Sequence, residues 1–236
     1  MAGPVPSVKE PHLAGRWYPA APAALARRVE ELLAAGGSPR PGVVAVVVPH
    51  AAYEYSGPTA ARAFAAAGAG VRRAIVLAPS HFAGFRGAAL LPMRGYRTPL
   101  GVVPIDAEAT AALAAALRSL LEPGTLLVAS SDLTHYGRRF DYLPVPPTDA
   151  SAVAAAVRRL DEGALERIVA RDADGFAAYV ERTGATICGR HPIEVLLRAL
   201  PAGARGERLA YTTSLEVSGD YEHTVSYAAV AFALAA

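Results

Sequence analysis

Cysteine is almost absent from this chain: Cys188 stands alone among 236 residues. A single thiol excludes an intrachain disulfide framework and fits a reducing compartment. Lysine is equally scarce, since Lys9 is the only one among the 23 basic residues. The arginines that make up the rest are scattered, and no run of five or six like charges occurs. With a formal net charge of +2, no nucleic-acid partner is expected. No apolar stretch reaches the roughly 20 residues that a bilayer span needs. The start, Met-Ala-Gly-Pro-Val-Pro-Ser, has neither the basic opening nor the apolar core of a secretory signal. A soluble, cytoplasmic protein with no membrane contact is expected. Several catalytic templates are also missing: there is no G-x-S-x-G elbow, P-loop, G-x-G-x-x-G after a strand, or H-E-x-x-H. Neither an internal repeat nor a low-complexity linker divides the chain, so residues 1–236 are expected to form one domain.

What is present is a strand grammar repeated three times. Hydrophobic residues make up 53% of the chain, enough for a substantial core. Residues 43–48, Val-Val-Ala-Val-Val-Val, read as a strand buried on both faces. Pro49 stops it, because proline has no N–H for a ladder, and His50 follows. Ala74-Ile75-Val76-Leu77-Ala78-Pro79-Ser80 likewise leads into His81. Thr125-Leu126-Leu127-Val128-Ala129-Ser130-Ser131 leads into Asp132 and then His135. Open α/β sheets bind ligands beyond the carboxyl ends of their strands. Three parallel strands would bring His50, His81, Asp132 and His135 to one rim.

Around these strands, apolar spacing predicts helices over 22–35, 149–160, 162–170, 173–182 and 192–200. Ser56-Gly57-Pro58 predicts a helix to Ala67 with proline in its first turn. Asp106 is a good N-cap for a helix to Leu121. Further strands are expected over 73–78, 87–91, 95–104, 125–129, 206–214 and 223–234. The fold class expected is α/β, a mixed, largely parallel central sheet flanked by helices. Before the first helix, Arg16-Trp17-Tyr18-Pro19 either packs an N-terminal arm onto the body or lines a pocket.

Two imidazoles on neighbouring strand ends form the start of a metal site, since neutral imidazole suits Fe, Cu, Zn and Ni. Asp132, His135 and Cys188 all qualify as a third ligand. Cys188 precedes a predicted helix, where the dipole and free N–H groups favour thiolate. A His-His-Cys set would bind Zn, Cu or Fe, and a His-His-Asp set would match the facial arrangement of non-haem Fe(II) oxygenases. The plainer readings are Cys188 as a small buried hydrophobe and Asp132 as a turn cap. His191 precedes a proline and has only local hydrogen bonding to offer; His12 and His223 lack chemical neighbours. Ser80 and Ser131 put hydroxyls near the rim, which leaves a Ser-His-Asp hydrolase open.

These segments, taken together, resemble the Memo family. The likeness is carried by Ala14-Gly15-Arg16-Trp17-Tyr18, by Pro49-His50-Ala51-Ala52-Tyr53-Glu54-Tyr55-Ser56-Gly57 and by Pro79-Ser80-His81. It continues in Ser130-Ser131-Asp132-Leu133-Thr134-His135-Tyr136, Ile187-Cys188-Gly189-Arg190-His191-Pro192-Ile193, Tyr211-Thr212-Thr213-Ser214 and Val225-Ser226-Tyr227-Ala228-Ala229. Prokaryotic members are called protein B of the AmmeMemoRadiSam system. The resemblance implies a fold like the class III extradiol (LigB-type) dioxygenases and a metal held by His50, His81 and Cys188. Fe(II) or Cu is the expected ion, with Zn as the alternative. His135 would then act as acid/base, Asp132 would orient it, and Ser80 and Ser131 would line the pocket. Trp17 and Tyr55 would lie at its mouth, where animal members are linked to phosphotyrosine-peptide binding. An AMMECR-type protein and a radical SAM enzyme are the implied partners. A non-catalytic module that binds a peptide or partner through the same pocket is the alternative. One departure stands out. Family members carry a Glu-His-Ser-x-Glu helix and a further strand between the helix at 106–121 and the strand at 125–129. Only Leu121-Glu122-Pro123-Gly124 joins them here. An edge left open by that loss would suit coverage by a second subunit.

Overall fold

The structure, a computed structural model, describes residues 8–84, 94–106 and 124–234. The helix expected to Leu121 and the strand expected over 87–91 lie outside the described residues. The strands are β1 (Val8–Lys9), β2 (Val43–Val48), β3 (Arg73–Leu77), β4 (Gly95–Thr98), β5 (Gly101–Pro104), β6 (Thr125–Ser130), β7 (His135–Tyr136), β8 (Arg205–Thr213) and β9 (Thr224–Ala233). The helices are α1 (Pro22–Gly36), α2 (Tyr53–Ala67), α3 (Ala150–Val169), α4 (Ala173–Thr183), α5 (Arg190–Ala199) and the short α6 (Ser214–Ser218).

The main sheet runs β3-β6-β2-β9, with β8 and β7 both pairing with β9. Pairs β3·β6 and β6·β2 are parallel, whereas β9 is antiparallel to β2, β7 and β8. The sheet is therefore mixed and flanked by helices, as the sequence pattern predicts. Side chains alternate across it. On one face Ala45, Val47, Leu127, Ala129, Val230 and Phe232 pack with Leu165, Ile168, Phe176, Ile193 and Leu196 from α3, α4 and α5. On the other, Val46, Val48, Leu126, Val128, Ala229 and Ala231 meet Ala63 and Ala67 of α2. A separate small sheet, β1-β4-β5, holds the N-terminal arm; the strand expected over 95–104 is its β4–β5 hairpin.

Two helices differ from expectation for identifiable reasons. Helix α2 starts at Tyr53, so Pro58 sits inside it rather than in its first turn. The N-terminal arm sets that start: Tyr53 N–H donates to Trp17 O at 2.9 Å, and Tyr55 and Ser56 N–H both donate to Ala52 O. The helices expected over 149–160 and 162–170 are one element, α3, capped by Asp149, which accepts Ala152 N–H at 2.9 Å. Asp161 in its middle reads as a surface break but points inward. It is fully buried and accepts hydrogen bonds from Thr134 N–H at 3.2 Å, Thr134 Oγ1 at 2.7 Å and Tyr211 Oη at 2.7 Å. Burial pushes its carboxyl above the usual carboxylate range, against the pull of these donors.

Asp161 thus ties α3 to β8 and to the loop between β6 and β7. Asp161→Ala leaves three buried donors without an acceptor, and such a network costs about 2–4 kcal/mol to break. Urea unfolding is expected to show a loss of that size. Tyr211→Phe, which removes one donor and leaves the others paired, should cost about 1 kcal/mol.

Candidate metal centre

The parallel register brings the rim residues together. Val48 pairs with Ser130 across β2 and β6, so His50 and Asp132 lie equally far past their strand ends. The link between them is direct: His50 N–H donates to Asp132 Oδ1 at 2.8 Å, and Ser131 N–H donates to Val48 O at 2.8 Å. His81 reaches the same place from beyond β3. Its Nε2 lies 3.2 Å from His50 Nε2, and the rings meet edge to face. From the opposite side, Cys188 in the turn before α5 brings its Sγ to 3.5 Å from His50 Nε2.

The donor spacing fits a metal. A tetrahedral ion with about 2.0 Å to nitrogen and about 2.3 Å to sulfur spans about 3.3 Å between two nitrogens and about 3.5 Å between nitrogen and sulfur. His50, His81 and Cys188 sit at 3.2 and 3.5 Å on the two measured edges. The half-buried His50 faces Ser130 Oγ with Nδ1 at 2.9 Å, which leaves Nε2 for the centre. Burial lowers its pKa and His81 and His135 add to this, while Asp132 opposes it; the ring is kept neutral, the form that ligates metals. A second triad, Asp132, His135 and Cys188, also has its ligand atoms within 4.8 Å of one another.

Two sequence expectations are corrected here. The helix dipole was expected to favour a Cys188 thiolate. Instead burial, and then the Asp132 carboxylate, push the thiol up to about 11, although Asp132 N–H donates to Sγ at 3.3 Å. A metal would have to displace that proton. Asp132 was expected to orient His135, but its Oδ1 anchors the backbone of His50. His135 is held by other groups. Its Nδ1 lies 3.0 Å from Leu133 O and 2.9 Å from Thr186 O, and its N–H donates to Thr186 Oγ1 at 2.8 Å.

A family profile described as Memo-like protein matches residues 9–122 and 110–231. The chain belongs to the Memo-like family. It is 29% identical to a MEMO1 family protein of Methanopyrus kandleri, over 95% of this chain and 98% of that one. Identity to the memo-1 homolog of Caenorhabditis elegans is 27%, over 91% of this chain and 79% of that protein. Identity to human MEMO1 is also 27%, over 94% and 96%. The M. kandleri alignment extends over 296 positions, more than the 236 residues here, so that relative carries segments this Memo-like chain lacks. The two pieces of the profile match meet at 110–122, next to the departure noted before β6.

The remaining predicted site residues are spread around the rim. Ser131 is part of the cluster: its Oγ donates to Asp132 O at 2.7 Å and accepts Gly189 N–H at 2.9 Å. That contact needs glycine, since a Cβ on Gly189 would come within 2.4 Å of Ser131 Cβ. Ser80 stays outside, bonding Ala83 O at 2.7 Å in an exposed turn. Trp17 is 39% exposed and lines a cavity of about 400 Å³ with Arg16, Tyr18, Arg28 and Tyr53. Half-buried Tyr55 lies near Tyr227, whose buried phenol is raised by burial and then by Asp132 and Tyr55. Sequence reasoning gave Ser130, Thr186, Gly189 and Tyr227 no role. Ser130 stood in the third strand-end motif, but its part depends on which way His50 turns.

No helix among the described residues is long and apolar enough to cross a membrane. Ser131→Ala is expected to leave the buried Gly189 N–H unpaired, a cost of about 1–3 kcal/mol. Urea unfolding measures it, and a faster reaction of Cys188 with a thiol reagent should accompany it.

Proposed function

We propose that this is a metalloprotein in which His50, His81 and Cys188 hold one redox-capable ion, Fe(II) or Cu, with Zn as a redox-silent competitor. On this reading it is a metal-dependent oxidoreductase of dioxygenase-like character. The observation that carries the reading is the donor spacing of 3.2 and 3.5 Å on the two edges that meet at His50 Nε2, as in a tetrahedral N,N,S site. The soft thiolate and two imidazoles suit late first-row ions. Bound by His50, His81 and Cys188, Fe or Cu would supply Lewis acidity and one-electron chemistry.

The chain's own residues supply the rest. Carbonyl oxygens only accept, so the proton of neutral His135 sits on Nδ1, between Leu133 O and Thr186 O. Nε2 is then free to take a proton from a bound substrate. Asp132 keeps His50 in place through its backbone. Sulfur replaces the carboxylate of a facial triad and donates more electron density, so ordinary ring cleavage is not the proposed reaction. The AMMECR-type protein and radical SAM enzyme of the AmmeMemoRadiSam system are the proposed partners, in the cytoplasm.

A second reading rests on the cavity beside the N-terminal arm. Its three aromatic rings, Trp17, Tyr18 and Tyr53, with Arg16 and Arg28, suit a peptide. The protein would then be a binding module that turns nothing over.

Elemental mass spectrometry separates the two. Protein purified without oxygen or an affinity-metal column is expected to carry iron or copper at His50, His81 and Cys188, and a His50→Ala/His81→Ala double variant is expected to lose that equivalent. Cys188→Ser should weaken metal affinity at least tenfold. Unchanged affinity would remove the thiolate from the ligand set, and a wild type that takes up no Fe(II), Cu(I) or Zn(II) would leave the binding-module reading.

A further inference from the structure

We propose that the rim holds a second metal ion, bound by Asp132, His135 and Cys188, with the Cys188 sulfur shared between the two sites. This rests on the reading of His50, His81 and Cys188 as a metal site. It replaces the acid/base job of His135, because Nε2 cannot both ligate an ion and carry a proton.

Three observations converge on it. The ligand atoms of the second triad lie within 4.8 Å of one another, as those of the first do. Asp132 is only 5% exposed, and its two oxygens are used unequally. Oδ1 accepts His50 N–H. Oδ2 lies 3.9 Å from His50 Nε2 and takes no hydrogen bond among the described residues. Oδ1 is committed to the backbone, which leaves Oδ2 as the oxygen that could meet a cation at the rim. The third observation is the setting of His135. Metal-bound imidazoles characteristically give their other ring N–H to a carbonyl or carboxylate, which fixes the tautomer and the ring. His135 does this twice, to Leu133 O and Thr186 O, and Phe140 packs edge-on at 5.1 Å between centroids.

Donor count and geometry agree with two ions. Five donors comprise three neutral imidazoles, one thiolate and one carboxylate. A single four-coordinate ion on His50, His81 and Cys188 has room for only one more ligand and leaves the other of Asp132 and His135 unused. Two ions that share one sulfur at about 2.3 Å each are at most about 4.6 Å apart, and two-metal sites commonly run at about 3.5–4 Å. The O, N, S set of the second triad suits a borderline divalent ion such as Zn(II) or Fe(II) rather than Mg(II) or Ca(II).

The test is metal stoichiometry on the full chain. Metal-free protein is titrated with Co(II) without oxygen. Thiolate-to-metal absorption and elemental analysis after desalting are followed in wild type, in Asp132→Asn/His135→Gln and in His50→Ala/His81→Ala. Two equivalents are expected in wild type. One should remain in each double variant, with sulfur-to-metal absorption retained in both. One equivalent in wild type, lost in His50→Ala/His81→Ala and kept in Asp132→Asn/His135→Gln, would leave the first site standing and overturn the second. Two equivalents that survive Asp132→Asn/His135→Gln would place the extra ion elsewhere and overturn it too. No uptake in wild type would overturn both readings. Wild-type stoichiometry alone decides between one ion and two even if a variant fails to fold.

Discussion

The rim depends on two parallel strands ending level. β2 and β6 run in register from Ala45↔Leu127 to Val48↔Ser130. Beyond those ends the chains stay coupled, first by Ser131 N–H to Val48 O and then by His50 N–H to Asp132 Oδ1. The second bond continues the ladder with a side chain: His50, the next residue facing β6, gives its N–H to a carboxylate rather than a carbonyl, and that carboxylate carries charge to the rim. A one-residue slip of β6 would turn its side chains to the other face. It would then move Asp132 away from His50 and Cys188 at once.

The loop after β6 is held from below as well as from beside. Leu133 N–H donates to Ser226 O, and Ser226 N–H donates to Thr134 O, which locks the loop onto β9. Asp161 takes both donors of Thr134 from the α3 side. Thr134 therefore has no freedom to move, and the residues two before it and one after it, Asp132 and His135, inherit its position. The buried polar groups here cost desolvation, and what they give is geometry. That fits a site whose donor atoms must stay within a few tenths of an ångström of one arrangement.

Much of this is legible in the sequence, and the rest is hidden for physical reasons. The valine run at 43–48 and its two echoes identify the parallel strands and the rim where His50, His81 and Asp132 gather; β2 and β6 are buried on both faces and leave an unbroken apolar signature, while β3 lies at the edge with Val76 exposed. The Memo-like motifs bring His50, His81 and Cys188 together at that rim. The sequence reading splits α3 into 149–160 and 162–170 and leaves Asp161 between them; its partners on β8 and after β6, far away in sequence, make an inward carboxylate tolerable. The Cys188 thiol illustrates a second limit. A place before a helix argues for thiolate from local structure alone, while burial and the Asp132 carboxylate, which decide the matter, come from contacts across the fold. The start of α2 is set in the same non-local way, by the carbonyl of Trp17.

Electrostatics explains how such a cluster could hold a cation. His50 and His81 bring ring nitrogens to 3.2 Å. Two lone pairs at that distance repel, so either a metal ion or the N–H of one imidazole tautomer stands between them. Burial and the neighbouring histidines push His50 away from protonation, and a neutral ring keeps a lone pair to offer a ligand site. On the other side, burial and then the Asp132 carboxylate hold the Cys188 thiol in its protonated form. A metal ion between His50, His81 and Cys188 would accept the lone pairs, favour the thiolate and offset the nearby carboxylate.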